Sequence, residues 1–141
     1  LDLGRTVDLL QLHGDEDVEF ATRVGPHVRV VHIAAAADGD VDAVVDATLL
    51  AKVHVPTCHA VLLDTAVGGT KGGTGTRCDP AFAERVAERL GAPVILAGGL
   101  DADHLPRSPW FAAYDASSKL EGRVGRKDPA KVAAFLRAVH Q

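Results

Sequence analysis

Residues 95–105 read ILAGGLDADHL: an apolar run of strand type stops at two adjacent glycines, Gly98 and Gly99, and polar residues follow. Paired glycines have no Cβ, so a ligand can come close to the backbone N–H groups they expose. The next apolar run, FAAYDAS (111–117), ends in Asp115 and Ser117, with Ser118 directly after. Upstream, AVLLD (60–64) closes on Asp64 just before GGTKGGTGTR (68–77). In parallel α/β proteins, ligands gather at the C-terminal ends of the strands. Glycines after one strand and serines after the next, late in the chain, fit a phosphate site of the kind often built beyond strands seven and eight of a (β/α)8 barrel.

Working outward, apolar runs alternate with helical patterns along the whole chain. VDLLQL (7–12), VRVVHIA (28–34), HAVLLD (59–64), PVILAG (93–98) and FAAYDAS (111–117) read as strands. The spacing predicts helices over 16–24, 40–51, about 79–90 and 128–140, with a short segment near 101–106. That makes five strands, each followed by a helix. Continuous rather than alternating apolar runs indicate burial on both faces, as in a parallel sheet. Asp79-Pro80 and Asp128-Pro129 place a capping acid ahead of an N1 proline, which fixes two helix starts. Nothing marks a linker or a domain break, so residues 1–141 read as one domain. By periodicity alone, five βα units favour an open doubly wound sheet, because a closed barrel needs about 200 residues or more.

Composition excludes several classes. The 141 residues are 47% hydrophobic, enough for one core, and the net charge of −4 lacks the basic excess of a nucleic-acid or membrane-surface binder. No apolar run approaches the roughly 20 residues that cross a bilayer. Two cysteines, Cys58 and Cys78, make no disulfide framework, and no signal peptide is visible, so the cytoplasm is the expected compartment. HVPTCH (54–59) is the one histidine–cysteine cluster, and its spacing fits no zinc pattern; no metal is expected. No G-x-x-x-x-G-K-[ST] occurs, and no G-x-G-x-x-G follows the first strand, which removes the nucleotide folds. The chain starts at Leu1 and contains no methionine, so a fragment, a processed product or an incompletely read gene is expected.

In order along the chain, LLQLHGDE (9–16), VRVVHI (28–33), AVLLDT (60–65), GGTG (72–75), ILAGGLDADHL (95–105) and YDASSKLEGRVGRKDPAKVAAF (114–135) resemble strands four to eight of the phosphoribosylanthranilate isomerase family. The resemblance implies a (β/α)8 TIM barrel, present as a partial barrel of about five βα units, and so overrides the open sheet that periodicity alone favours. It implies an intramolecular oxidoreductase of tryptophan biosynthesis that turns N-(5-phosphoribosyl)anthranilate into its 1-deoxyribulose form by an Amadori rearrangement, without metal or organic cofactor.

The resemblance makes Asp64 the general acid, against the alternative of a loop cap. A general acid needs a raised pKa, so Asp64 should be partly buried. His13 matches a residue at the barrel mouth. Gly72, Gly73, Thr74 and Gly75 match a substrate-loop motif, with Thr76 in place of the usual lysine. Gly98, Gly99, Ser117 and Ser118 match the phosphate site, with Lys119 in place of the usual glycine, and Asp115 matches an aspartate near the sugar or the anthranilate. The family's general base is a cysteine on the first strand. Cys58 does not substitute for it, since six strand residues put it about 20 Å from Asp64, at the wrong end. Cys78 reads as a small buried apolar residue. His32 has no assigned role.

The expected partner is therefore a small sugar-phosphate substrate, with no nucleic acid and no membrane. A catalytically inactive relative that keeps only sugar-phosphate binding is the alternative function. Five-eighths of a barrel leaves two open sheet edges, so these residues should self-associate or pair with a complementing N-terminal segment.

Overall fold

The computed structural model describes residues 7–34, 39–66 and 79–141. The chain runs β1 (Leu10–Leu12), α1 (Val18–Val24), β2 (His27–Ala34), α2 (Val41–Val44), α3 (Ala47–Val53), β3 (Cys58–Ala66), α4 (Pro80–Leu90), β4 (Val94–Leu96) and β5 (Phe111–Tyr114). A 3-10 turn (Ser118–Leu120), a small hairpin of β6 (Glu121–Arg123) and β7 (Arg126–Lys127), and α5 (Pro129–Val139) complete it.

Strands β1 to β5 form one sheet in sequential order, with every neighbouring pair parallel. A doubly wound sheet reverses its strand order and carries helices on both faces. Neither feature is present among the described residues. The main core cluster joins Ile33, Val61, Leu63, Val94 and Phe111 of the strands to Val53 of α3, Phe82, Val86 and Leu90 of α4, and Phe135 of α5. The opposite face, Val28, Val30, Leu62 and Ala97 with Ala60 and Ile95 against them, draws on no helix. Among the described residues the chain thus winds in one sense with its helices on one side, and they do not form the doubly wound sheet favoured by periodicity.

Aspartates start all five α-helices among the described residues. Asp17 accepts from Phe20 N, Asp40 from Asp42 N, Asp46 from Leu49 N, Asp79 from Ala81 N, and Asp128 from both Ala130 N and Lys131 N. Such caps satisfy N–H groups that the first turn leaves without partners. Helix α4 shows the result on packing. Its stripe Phe82, Ala83, Val86, Ala87 and Leu90 is buried on the sheet, and each large member contributes about 1.5–3 kcal/mol of apolar burial.

Three expectations need correction. The single helix expected over 40–51 is two, because the Asp46 carboxylate takes the Leu49 N–H and starts a new helix. Residues 101–106 form turns rather than a helix, so β4 has no helix directly after it. Asp101 Oδ1 engages Asp103 N at 3.1 Å and the His104 ring at 2.7 Å, and Pro106 cannot continue a helical turn. The antiparallel hairpin β6–β7 falls within a stretch where no strand is expected.

Candidate active site

Because all five strands run parallel, their C-terminal ends lie along one edge of the sheet. His13 follows β1, His32 and Asp64 sit near the ends of β2 and β3, Gly98 and Gly99 follow β4, and Asp115 follows β5. Period-two alternation decides which face each side chain takes. His32 alternates with Val28 and Val30, and Asp64 with Ala60 and Leu62, so both project on the helix-free face. His13 belongs there too, since Gln11 pairs with Val28.

His32 and Asp64 are Cα partners across the β2–β3 ladder. The His32 Nδ1 lies 3.9 Å from Asp64 Oδ2, beyond hydrogen-bond reach but close enough to pair when the ring is protonated. The Asp64 side chain is 35% exposed and so partly buried. The His13 and His32 rings lie 6.2 Å apart, and the His13 Nε2 contacts the Gln11 amide at 2.5 Å. Two imidazoles and a carboxylate thus share one end of the sheet. They can exchange protons with a ligand laid across it.

Behind His13, on the helical side of the sheet, Glu16 accepts from the Gly14 N–H through both oxygens, at 3.2 and 3.1 Å. The guanidinium of Arg29, with a side chain only 2% exposed, lies 3.6 Å from the same carboxylate. Arg29 Nε and Nη2 have no partner. One half-buried acid therefore ties the loop after β1 to a buried cation on β2.

On the other flank, Gly98 and Gly99 adopt φ of 95° and 66°. Both values lie in the left-handed region, where a Cβ is strained, so glycine is required twice in succession. The Asp115 N–H donates to Leu96 O at 2.8 Å, carrying the β4–β5 ladder one residue past the strand. Ser117 and Ser118 are exposed and open the 3-10 turn. Ser117 precedes that turn, yet its hydroxyl does not cap it. Lys127 Nζ donates to that hydroxyl at 3.1 Å and to the Ser117 carbonyl at 3.0 Å.

The glycine loop bearing Gly72, Gly73, Thr74 and Gly75, and Cys78 after it, lie outside the described residues. Cys58 is the first residue of β3, at the opposite end of that strand from Asp64. Burial pushes its thiol above the ordinary range, against smaller opposing effects of Arg29 and the backbone. Among the described residues no group of three or more His, Cys, Asp or Glu is placed to hold a metal ion. No helix there is long and apolar enough to cross a membrane.

The family profile described as N-(5'phosphoribosyl)anthranilate (PRA) isomerase matches residues 3–138. The chain belongs to the PRA isomerase family. The N-(5'-phosphoribosyl)anthranilate isomerase of Pseudomonas putida is 39% identical over 140 residues, covering 96% of this chain and 62% of the relative. This chain thus spans about 60% of the length of the PRA isomerases it matches. The crystal structure of phosphoribosyl anthranilate isomerase from Thermus thermophilus superposes with a TM-score of 0.64 and 25% identity, over 94% of this chain and 60% of that one. The N-(5'-phosphoribosyl)anthranilate isomerase structure from Pyrococcus furiosus gives 0.68 at 21% identity, over 98% and 65%, and supports the fold.

Two features of this PRA isomerase-family edge go unassigned in the sequence. The only signal for His32 next to Asp64 is its position at the end of the preceding strand. Lys127 lies ten residues past Ser117, and only the hairpin, itself unexpected, brings the two together.

Proposed function

We propose that the protein is an N-(5-phosphoribosyl)anthranilate isomerase of tryptophan biosynthesis, and that this stretch forms strands four to eight of its (β/α)8 barrel. The observation that carries the proposal is the single edge on which Asp64, Gly98–Gly99 and Asp115–Ser118 assemble, in a chain of this family. Sequential parallel strands with helices on one side are what a barrel wall requires.

In this scheme the phosphate rests against the backbone of Gly98 and Gly99 and the hydroxyls of Ser117 and Ser118. Asp115 faces the sugar or the anthranilate. His13 borders the mouth, and Gly72, Gly73, Thr74 and Gly75 belong to the substrate-binding set. Asp64 protonates the furanose ring oxygen; the C1–O bond breaks and the ring opens to a Schiff base. A base then takes the proton from C2, and the electron pair moves to form the enolamine. Tautomerisation of the enolamine gives the ketone. The family resemblance puts that base on a first-strand cysteine ahead of this stretch. None of the three steps calls for a metal or an organic cofactor.

The test is incubation of the protein, together with the segment that carries the first-strand cysteine, with N-(5-phosphoribosyl)anthranilate and chromatographic detection of the ketose. Turnover supports the isomerase. Binding without turnover supports a sugar-phosphate binder that lacks the chemistry, and no binding sinks both.

A further inference from the structure

The hydroxyl of Ser117 stands where a helix-type turn begins but makes no capping bond. A serine hydroxyl offers one donor and two acceptor sites. Here one acceptor site is filled by Lys127 Nζ at 3.1 Å, and the same ammonium donates to Ser117 O at 3.0 Å and to Glu121 Oε1 at 3.0 Å. An ammonium has three protons, and all three are used. Lys127 therefore has no proton left for a ligand, while the Ser117 hydroxyl keeps its own proton to give.

Other contacts hold the lysine in place. Glu121 also accepts from the Gly125 N–H at 2.9 Å, which closes the β6–β7 hairpin. That N–H first, and Lys127 second, hold the Glu121 carboxyl below the usual glutamate range. Lys131 of α5 donates to Glu121 O at 2.7 Å. The hairpin thus folds back so that a residue ten positions downstream grips the loop after β5.

We infer that Lys127 is a positioning residue for the phosphate site: its bond to the Ser117 hydroxyl leaves that hydroxyl's proton aimed outward, to be donated to a phosphate oxygen. The inference rests on Ser117 lying in the phosphate site, and the experiment separates the two. Inorganic phosphate is titrated calorimetrically into the full chain and into S117A, K127M and the double variant, with thermal melts confirming that each is folded. Acting through one hydroxyl, the two single changes each weaken phosphate about tenfold, and the double change weakens it no further than about tenfold. K127R is the gentler probe: it keeps the charge but not the three-way donation, so it costs about threefold with Ser117 present and nothing in the S117A background. Multiplying losses in the double variant, or unchanged affinity in K127M and K127R, overturn the positioning role and leave the phosphate site standing. No phosphate binding by the unaltered protein overturns the phosphate site, and the inference with it.

Discussion

At the scale of single residues, the assignment turns on one carboxyl. If Asp64 donates the proton that opens the sugar ring, D64N keeps the size and polarity of the side chain and removes the acid. Turnover should then fall by about 10²- to 10⁴-fold, while the affinity for inorganic phosphate, if its site is the one proposed after β4 and β5, stays unchanged. A variant that turns over normally returns Asp64 to the role of a loop cap. Cys58 provides the opposite control. Burial raises its pKa, so near neutral pH it stays a neutral thiol, and only the thiolate reacts with disulfide reagents. Its labelling rate should lie well below that of a free thiol at pH 7 and climb only at alkaline pH beyond the ordinary cysteine range. Rapid labelling at neutral pH would show an exposed, activated thiol. Asp64 is readable from the sequence because it ends an apolar run. Its neighbour His32 is not, because only strand register makes the two adjacent.

At the scale of elements, the contact between the loop after β1 and strand β2 is asymmetric. Glu16 holds two partners, the Gly14 N–H and the Arg29 guanidinium, whereas Arg29 leaves two of its nitrogens unpaired in the interior. Removing the acid strands a buried cation, so E16A should cost about 3 kcal/mol. R29M removes the charge and fills the space, and should cost clearly less. Chemical denaturation of both variants decides this, and equal losses would mean that the pair itself contributes the stability. The helix starts at Asp79 and Asp128 are legible because a capping acid stands before a proline. The split at Asp46 is not, since an aspartate inside an apolar helical repeat reads equally as an exposed face or as a new cap. The β6–β7 hairpin is hidden for a related reason. Its strands are only three and two residues long and mostly exposed, so they leave no hydrophobic period.

At the scale of the molecule, local pattern and global topology point different ways. A count of βα units cannot distinguish an open doubly wound sheet from the wall of a barrel, because both alternate strand and helix. Strand order distinguishes them, and order is a property of distant pairs that periodicity does not carry. The signal that does carry it is chemical: glycines after β4 and serines after β5 belong on adjoining strand ends. The same topology leaves the described sheet with two edge strands, β1 and β5, and one face that no helix covers. Unpaired strand edges template further pairing, and a closed barrel abolishes them. If these 141 residues are a barrel wall, the isolated chain should associate with itself. Light scattering should give a mass above 14.7 kDa that rises with concentration. A separate polypeptide carrying three further βα units should compete with that association and yield a discrete complex. A monodisperse monomer at high concentration would mean that the edges are already protected, and the barrel-wall assignment would fall even though the family membership stands.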